Sequence, residues 1–339
     1  MKASHDVNAS SVSEEFAEDI RREIRKDKWM KWYPAIILIT IILFFSITTS
    51  GFFTFDNVKS LLNQLAMPLI ISVGVTFVIM LGSINLSIEG LIAMAGCVFS
   101  VLIMNNSNTN NFGFWTIPII LLLGLASGLL MGVIHVKLKL PSFMVTYAFS
   151  FILSGIALLS YGGIPATITD PFFSKFNTLS FLGIPMITWV AFAVFVIALI
   201  IQKYTAFGQH IYAVGSNEKV LKSVGVNVNR VKILVFSFSG ICLAIAGIIS
   251  VLRLGRGEST LGTGTMFSAF TAVVLGGTPM SGGRGGIMNT LVGAIILTVL
   301  QNGMILIGVS PYVMDGIQGI IIVIAVILTV RRGNRVINK

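Results

Sequence analysis

The glycine-rich stretch GGTPMSGGRGG, residues 276–286, has nearly the spacing of a phosphate-binding loop. That loop needs a lysine and then serine or threonine after its glycines, on a turn from a strand to a helix. Here Gly283 stands at the lysine position and Arg284 at the next, between two apolar segments, so phosphate binding is not expected. Glycine permits positive φ and close backbone approach, which predicts either a compact hairpin or a re-entrant turn. The residues of interest are Gly276, Gly277, Gly282, Gly283 and Arg284.

The stretch LGSINLSIEG, residues 81–90, interrupts apolar sequence with polar side chains. A carboxylate at membrane depth costs about 2.5–3.5 kcal/mol on insertion scales. One hypothesis is therefore that Asn85, Ser87 and Glu89 line a solute path. The alternative is a plain turn between two helices. In that interpretation Asn85 or Ser87 caps the second helix, and Glu89 lies in its first turn, where a negative charge suits the helix dipole.

Residues with catalytic or metal-binding side chains are few and scattered. His5, His135 and His210 have no metal-ligand spacing. Cys97 and Cys242 both lie in apolar runs, where a small buried side chain is expected rather than a disulfide or metal ligand. The sequence shows no paired carboxylates and no nucleophile with a base. It thus predicts no catalytic residue, no metal and no cofactor on this chain.

The composition is that of an integral membrane protein. Of 339 residues, 55% are hydrophobic and 11% are charged, against roughly 25% charged in soluble domains. A spanning helix takes about 20 apolar residues. The apolar segments predict an all-α fold, a polytopic membrane helix bundle with about ten transmembrane helices; the eighth segment is short, and nine crossings remain if it re-enters. The segments are 34–50, 60–81, 86–104, 115–136, 142–161, 184–202, 232–252, 266–278, 287–307 and 312–330.

The basic residues predict the orientation, because Lys and Arg concentrate in the cytoplasmic loops of membrane proteins. With the N-terminus inside, and without counting the N-terminal tail, twelve basic residues lie on the inner side and four on the outer side. This asymmetry predicts that both termini are cytoplasmic and that the number of crossings is even, which favours ten.

The apolar segments divide the chain into three parts. Residues 1–32 form a polar cytoplasmic tail, in which Ser11 and Glu14 fit a capping box. This tail is predicted to be either a helix lying on the membrane surface or a solvated, partly disordered segment. Residues 33–331 form the transmembrane domain, and residues 332–339 form a second cytoplasmic tail.

The inner loop at residues 203–231 is long. Within it, Ser216, Asn217 and Glu218 are typical of a helix start, and Gly225 of a helix stop. A short helix on this face is either a docking surface for a cytoplasmic partner or one helical turn in an ordinary loop.

Four motifs, kept in order along most of the chain, resemble those of permease subunits of ribose-type ABC importers, within the sugar and branched-chain amino acid permease superfamily. GSINLSIEGLIAMAG is similar to the family motif Gly-Ile-Asp-Leu-Ser-Val-Gly-Ser, and LKLPSFMVTYAF to its segment Arg-Ile-Pro-Pro-Phe-Ile-Val-Thr-Leu. TAFGQHIYAVGSNEKVLKSVGV resembles the loop Thr-Xaa-Phe-Gly-Arg-Xaa-Ile-Tyr-Ala-Xaa-Gly-Xaa-Asn. VLGGTPMSGGRGGIMNTLVGAIILTVLQNGMILIGVSPY resembles the most specific signature almost throughout.

The resemblance implies a non-catalytic transport subunit in the bacterial plasma (inner) membrane. Such permeases pair in the lipid bilayer, with an identical or a paralogous chain, and receive solute from an extracellular or periplasmic binding protein. A separate ABC ATPase, which binds ATP, docks on their cytoplasmic loops; no nucleic acid is expected as a partner. Residues 203–231 would be the coupling loop, with Gly215, Asn217, Lys222 and Gly225 as its residues of interest.

The motifs also depart from the family pattern. Asn85 stands in place of an acidic residue, Glu89-Gly90 in place of Gly-Ser, and Val220-Leu221 in place of an alanine pair. The solute therefore stays open between a monosaccharide, of ribose type or similar, and a nucleoside or autoinducer-type furanosyl compound. The changed coupling loop favours a dedicated ATPase over a shared one. From another class, the alternative is a stand-alone secondary transporter or a membrane enzyme.

Overall fold

The computed structural model describes residues 33–49, 51–176 and 178–329. The predictions for the two cytoplasmic tails, 1–32 and 332–339, lie outside the described residues. The helices are α1 (Tyr33–Thr48), α2 (Phe55–Met80), α3 (Ile88–Leu102), α4 (Thr116–Lys137), α5 (Ser142–Tyr161), α6 (Met186–Tyr204), α7 (Ala206–Ser223), α8 (Val228–Leu254), α9 (Thr265–Leu275), α10 (Ile287–Leu306) and α11 (Pro311–Thr329). The strands, each of two residues, are β1 (Ala166–Thr167), β2 (Ser180–Phe181), β3 (Ile184–Pro185) and β4 (Arg256–Gly257).

The fold is a helix bundle, as the sequence predicts, and each predicted apolar segment coincides with a helix. Six helices in the described part of the chain are long and apolar enough to cross a membrane: α2, α4, α5, α6, α8 and α10. Three apolar helices, α1, α3 and α9, are shorter than 18 residues. Helix α7 occupies the long loop at 203–231 and is the element that hydropathy does not find.

Two long helices, α2 with 26 residues and α8 with 27, form the centre of the bundle. They run antiparallel. The carboxyl end of α2 and the first turns of α8 both lie beside α7, since Gly215 of α7 abuts Met80 and Glu218 of α7 binds Lys232. We call this end of the bundle the α7 end. Phe77 of α2 meets Phe238 of α8 edge to face, with 5.0 Å between ring centroids.

The two halves of the chain repeat one pattern. In each half a long helix is followed by a non-helical segment and then a short helix: α2, residues 81–87 and α3, then α8, residues 255–264 and α9. The long helix of each half packs on the short helix of the other, α2 on α9 and α8 on α3. Each long helix also packs on the helix that follows the short helix of the other half, α2 on α10 and α8 on α4. Because α2 and α8 are antiparallel, the repeat is inverted, an arrangement common in transporters.

Glycine lets α4 and α8 approach closely. Gly124 and Gly128 lie one turn apart on α4, and a Cβ added at Gly128 would fall on the backbone carbonyl of Phe236 in α8. From the other side, a Cβ at Gly240 of α8 would fall on the carbonyl of Gly124. Small residues at such spacing bring helix backbones together in membranes, where packing rather than the hydrophobic effect drives association.

Hydrogen bonds between buried side chains join α2 to α10. The hydroxyls of Thr76 and Thr290 lie 2.6 Å apart, and the Asn302 amide donates to Asn57 Oδ1 at 3.0 Å. Such bonds contribute on average about 0.6 kcal/mol each in membrane proteins. At the opposite end from α7, β1 and β4 pair antiparallel and tie the loop after α5 to the end of α8.

Substituting Gly128 with Ala should lower the thermal unfolding midpoint in detergent, because overpacking costs about 1–3 kcal/mol. The matched control is Gly155→Ala on α5, where an added Cβ meets nothing within 4 Å. It should leave the midpoint unchanged or raise it slightly, since Ala favours a helix by up to about 1 kcal/mol over Gly. Equal midpoints for the two variants would contradict this account of the α4–α8 contact.

Candidate functional site

The non-helical segment 81–87 begins where α2 ends at Met80 and stops where α3 begins at Ile88. Gly82 makes the first turn with φ +73°. Two hydroxyls of α5 then receive the backbone: Ser142 Oγ accepts from Ile84 N at 3.0 Å, and Thr146 Oγ1 accepts from Leu86 N at 2.9 Å. Because 142 and 146 lie one helical turn apart, α5 presents both acceptors on one face. They take over N–H groups that a continuous helix would have bonded internally.

Asn85 and Ser87 are fully buried, and their polar atoms bond within the protein. Asn85 Oδ1 accepts from the backbone N of Ser87 at 3.0 Å and from its hydroxyl at 2.7 Å. The Asn85 amide donates to the Ser239 hydroxyl of α8 at 3.2 Å. Ser87 is the residue before α3, yet its side chain makes no cap bond to that helix. In this conformation the pair fixes the turn and holds it against α8.

Glu89 lies in the first turn of α3, and its carboxylate reaches another helix. Oε1 accepts from Gly264 N at 2.9 Å and from Met266 N at 3.5 Å, at the start of α9. Both are among the unpaired N–H groups of a helix start, where a negative charge also interacts favourably with the helix dipole. Glu89 therefore caps α9 and joins the two halves of the repeat. The partner lies 175 residues along the chain, so no local signal indicates it.

The glycine-rich loop, residues 276–286, connects α9 to α10. Gly283 N donates to the carbonyl of Met80 at 2.9 Å, at the end of α2. A Cβ at Gly282 would lie 2.6 Å from Gly82 N and 2.9 Å from the same Met80 carbonyl. The loop thus packs backbone to backbone on the end of α2. Its positive φ values occur at Gly277, Gly282, Gly283, Gly285 and Gly286.

Helix α7 is divided at Asn217, whose backbone is extended. The Asn217 side chain accepts from Lys219 N at 3.1 Å and from Val220 N at 3.3 Å, as an N-cap does. The predicted helix start at Ser216-Asn217-Glu218 is therefore the start of the second half. The first half begins at Ala206, where Thr205 accepts from Gly208 N at 3.2 Å. Gly225 follows the helix with φ +81°.

Glu218 holds the second half of α7. Its two carboxylate oxygens bind Lys222 at 2.7 Å and Lys232 of α8 at 2.8 Å. The hydrogen bond from Lys222, followed by that from Lys232, lowers the pKa of Glu218 below its ordinary range. The two ion pairs of Glu218 stabilise the fold at pH values above the ordinary pKa of glutamate. This stabilisation is lost as the pH falls through the lowered pKa of Glu218. Glu218 is about one third exposed, so solvent screening keeps it small.

The structure brings the glycine of the coupling loop together with the glycine-rich loop, and it leaves the predicted basic residues at the surface. Gly215 of α7 contacts the glycine-rich loop, since a Cβ there would fall on the Met80 carbonyl and lie 2.5 Å from Gly283 N. Lys222 and Arg284 are both exposed at the α7 end.

Among the described residues, no three His, Cys, Asp or Glu side chains lie together as metal ligands would. Cys97 and Cys242 are buried free thiols, as predicted.

Comparison with known proteins identifies the family. Residues 57–326 match the family described as branched-chain amino acid transport system / permease component. The chain belongs to this family. It is a membrane permease. It is 35% identical over 312 residues to the ribose import permease protein RbsC of Escherichia coli strain K12, which covers 91% of this chain and 96% of that protein.

Two further relatives cover similar lengths. RbsC of Bacillus subtilis strain 168 is 35% identical over 87% of this chain and 91% of its own. The L-arabinose transport system permease protein AraH of Escherichia coli strain K12 is 31% identical over 88% of this chain and 90% of its own. No solved structure matches this chain significantly.

Replacing Thr146 with Val should destabilise the segment 81–87. The valine keeps the shape but leaves the partly buried Leu86 N without its acceptor, and an unsatisfied donor costs up to about 1–3 kcal/mol when fully buried. We expect a lower thermal unfolding midpoint and faster amide hydrogen exchange at 84–88. The control is Thr40→Val on α1, where the lost hydroxyl bonds only to Ile36 of its own helix. If exchange at 84–88 matches that of the control, the assignment of Thr146 is wrong.

Proposed function

We propose that this chain is the transmembrane permease subunit of an ABC importer that moves a monosaccharide, of ribose type or similar, across the bacterial plasma membrane. The observation that carries the proposal is the likeness to ribose import permeases over nearly the full length of both chains. The likeness to an arabinose permease supports a pentose as the solute class.

The proposal includes ten crossings with both termini in the cytoplasm. The α7 end then faces the cytoplasm and the β1–β4 end faces outward. This orientation is supported by the basic residues that gather at the α7 end, among them Lys219, Lys222, Arg230 and Arg284. The three short helices cross in combination with the non-helical segments that precede or follow them.

A partner ABC ATPase, which binds and hydrolyses ATP, docks on α7 and the coupling loop 203–231. The second half of α7 supports this role, because Lys219, Val220 and Lys222 are exposed there while the Glu218 bonds fix its position. A binding protein delivers solute at the opposite end. A second permease chain, identical or paralogous, completes the transmembrane unit.

The solute path in this proposal passes the place where α3 and α9 both begin. Broken helices whose N-termini meet within the membrane form the solute sites of many transporters. Here Glu89 occupies the start of α9, and Asn85 and Ser87 lie just before α3. When the Glu89 contact opens, backbone N–H donors and a carboxylate acceptor become available together. Mixed donors and acceptors suit a neutral, hydroxyl-rich solute better than a ring of like charges.

A nucleoside or furanosyl solute is the second candidate within transport. The Glu89-Gly90 pair, which stands in place of Gly-Ser, favours it. Gly90 is required by packing in either case, since a Cβ there would fall on the Ser150 carbonyl of α5. Gly90 therefore does not distinguish the two solutes, and uptake measurements with a pentose and with a nucleoside are needed to decide between them.

Reconstitution tests the proposed function. Proteoliposomes that contain the permease and its co-expressed ATPase, supplied with the binding protein, should accumulate radiolabelled D-ribose or L-arabinose only when ATP is present on the side of the membrane that carries the ATPase. Omission of the ATPase or the binding protein should reduce uptake to background, because alternating access then has no energy input. Uptake by the permease alone, insensitive to ATP, would instead show a secondary transporter. Uptake of uridine but neither pentose would favour the nucleoside alternative.

Substituting Glu89 with Gln should reduce ATP-dependent uptake by about tenfold. The change removes the carboxylate acceptor that the opened contact offers to the solute. A hydrogen bond to a charged group contributes about 1.5–3 kcal/mol, of which about 1.4 kcal/mol corresponds to tenfold. The control is Asp56→Asn, which removes an exposed acidic residue from the first turn of α2. Unchanged uptake kinetics in the Glu89 variant would exclude a role for its charge in the path.

A further inference from the structure

Helix α7 is fastened to the glycine-rich loop at a second place besides Gly215. Tyr212 lies about one turn before Gly215 on α7, and its hydroxyl donates to the carbonyl of Gly285 at 2.6 Å. Gln202, near the end of α6, donates from its amide nitrogen to the same hydroxyl. The Gln202 carbonyl oxygen accepts from Ile287 N at 2.9 Å, at the start of α10. The side chain of Gln202 is buried.

These bonds hold both the loop and the helix that follows it. The Tyr212 hydroxyl fixes the carbonyl of Gly285 in the loop, and the Gln202 oxygen satisfies one of the unpaired N–H groups that every helix start leaves. Burial raises the pKa of Tyr212, so the phenol keeps its proton throughout the physiological range. It therefore donates to Gly285 while it accepts from Gln202. The result is a continuous hydrogen-bonded chain from α6 through α7 to the loop.

The loop in turn is in backbone contact with the end of α2. Gly283 N bonds the Met80 carbonyl, and Gly282 packs against Gly82 at the beginning of the non-helical segment 81–87. No flexible side chain separates the two backbones, so a displacement of the loop is not absorbed by a rotamer change. Close-packed interiors transmit displacement in this way.

We propose that Tyr212 and Gln202 are positioning residues that fix the glycine-rich loop to α7, so that displacement of α7 moves the end of α2 and the segment 81–87. The inference rests on the proposed function, in which the ATPase acts on α7. The exposed second half of α7 receives the ATPase, and the first half, before the break at Asn217, carries the contacts to the loop. The glycines of 276–286 thus serve ATP-driven transport without contacting ATP.

The close contact at Gly215 limits how the glycine-rich loop can move on α7. A residue larger than glycine there would separate α7 from both Met80 and Gly283. With Gly215 in contact, the Tyr212 hydroxyl about one turn away prevents the loop from sliding along α7. The two contacts together leave the loop little freedom to move independently of α7.

The experiment compares Tyr212→Phe and Gln202→Met with wild type in proteoliposomes that hold the ATPase and the binding protein. Radiolabelled D-ribose uptake and phosphate release are measured on the same preparation. We expect ATPase co-purification and ATP hydrolysis within about twofold of wild type, while ribose taken up per ATP hydrolysed falls at least about fivefold, the effect of one hydrogen bond of about 1 kcal/mol. The double variant should lose no more than the more affected single variant, since both act through one chain of bonds.

The control is Tyr204→Phe, which removes a hydroxyl from a tyrosine that is 80% exposed at the same end. Its ratio of ribose to ATP should equal that of wild type. The inference is overturned if Tyr212→Phe and Gln202→Met keep the wild-type ratio, or if uptake and hydrolysis fall in parallel, which indicates a purely structural role. ATP-independent uptake by wild type would instead reject the proposed function itself, whatever the variants show.

Discussion

Backbone hydrogen bonding in the buried interior of the bundle is the constraint on which this structure depends. A segment that leaves helical geometry there has no water to bond, so its N–H and C=O groups need partners in the protein. At residues 81–87 the partners include the hydroxyls of Ser142 and Thr146. At the more exposed start of α9 the partner is the Glu89 carboxylate. All three lie on other helices. Each non-helical segment therefore keeps its shape only while the helices around it stay in place.

Hydropathy was enough to predict the helices of the bundle, because a membrane segment has few alternatives to a helix. The predicted segment 142–161 has the observed bounds, and 60–81 and 232–252 differ from α2 and α8 by five residues or fewer at each end. The first half of α7 was missed. Gly208 and Gly215 disfavour a helix in isolation, yet each lies where a Cβ would fall on neighbouring backbone. Tertiary packing, which no local pattern reports, forms this helix.

The site was predictable in composition but not in its pairings. The polar residues of 81–90 and the glycines of 276–286 are visible in the sequence, and Glu89 does lie in the first turn of α3. Its bonds to Gly264 and Met266 join segments far apart along the chain. The same is true of Gly283 and Met80. Such pairings follow from the inverted repeat, which places the break of one half beside the short helix of the other, and the repeat is seen only once the helices are assembled.

These pairings form a closed ring. The chain runs from α2 through 81–87 into α3, where Glu89 binds the start of α9. Helix α9 leads into the glycine-rich loop, and Gly283 of that loop returns to Met80 at the end of α2. In a closed ring of short, stiff members, one member cannot move without displacing the next, because close-packed groups transmit displacement to their neighbours. In the proposed role of α7, which touches the ring at Met80 and Gly283, a displacement applied there is passed around the ring towards Glu89. The ring thereby links the end of the bundle that carries the exposed basic residues to the contact of Glu89 with α9, which joins the two halves of the repeat.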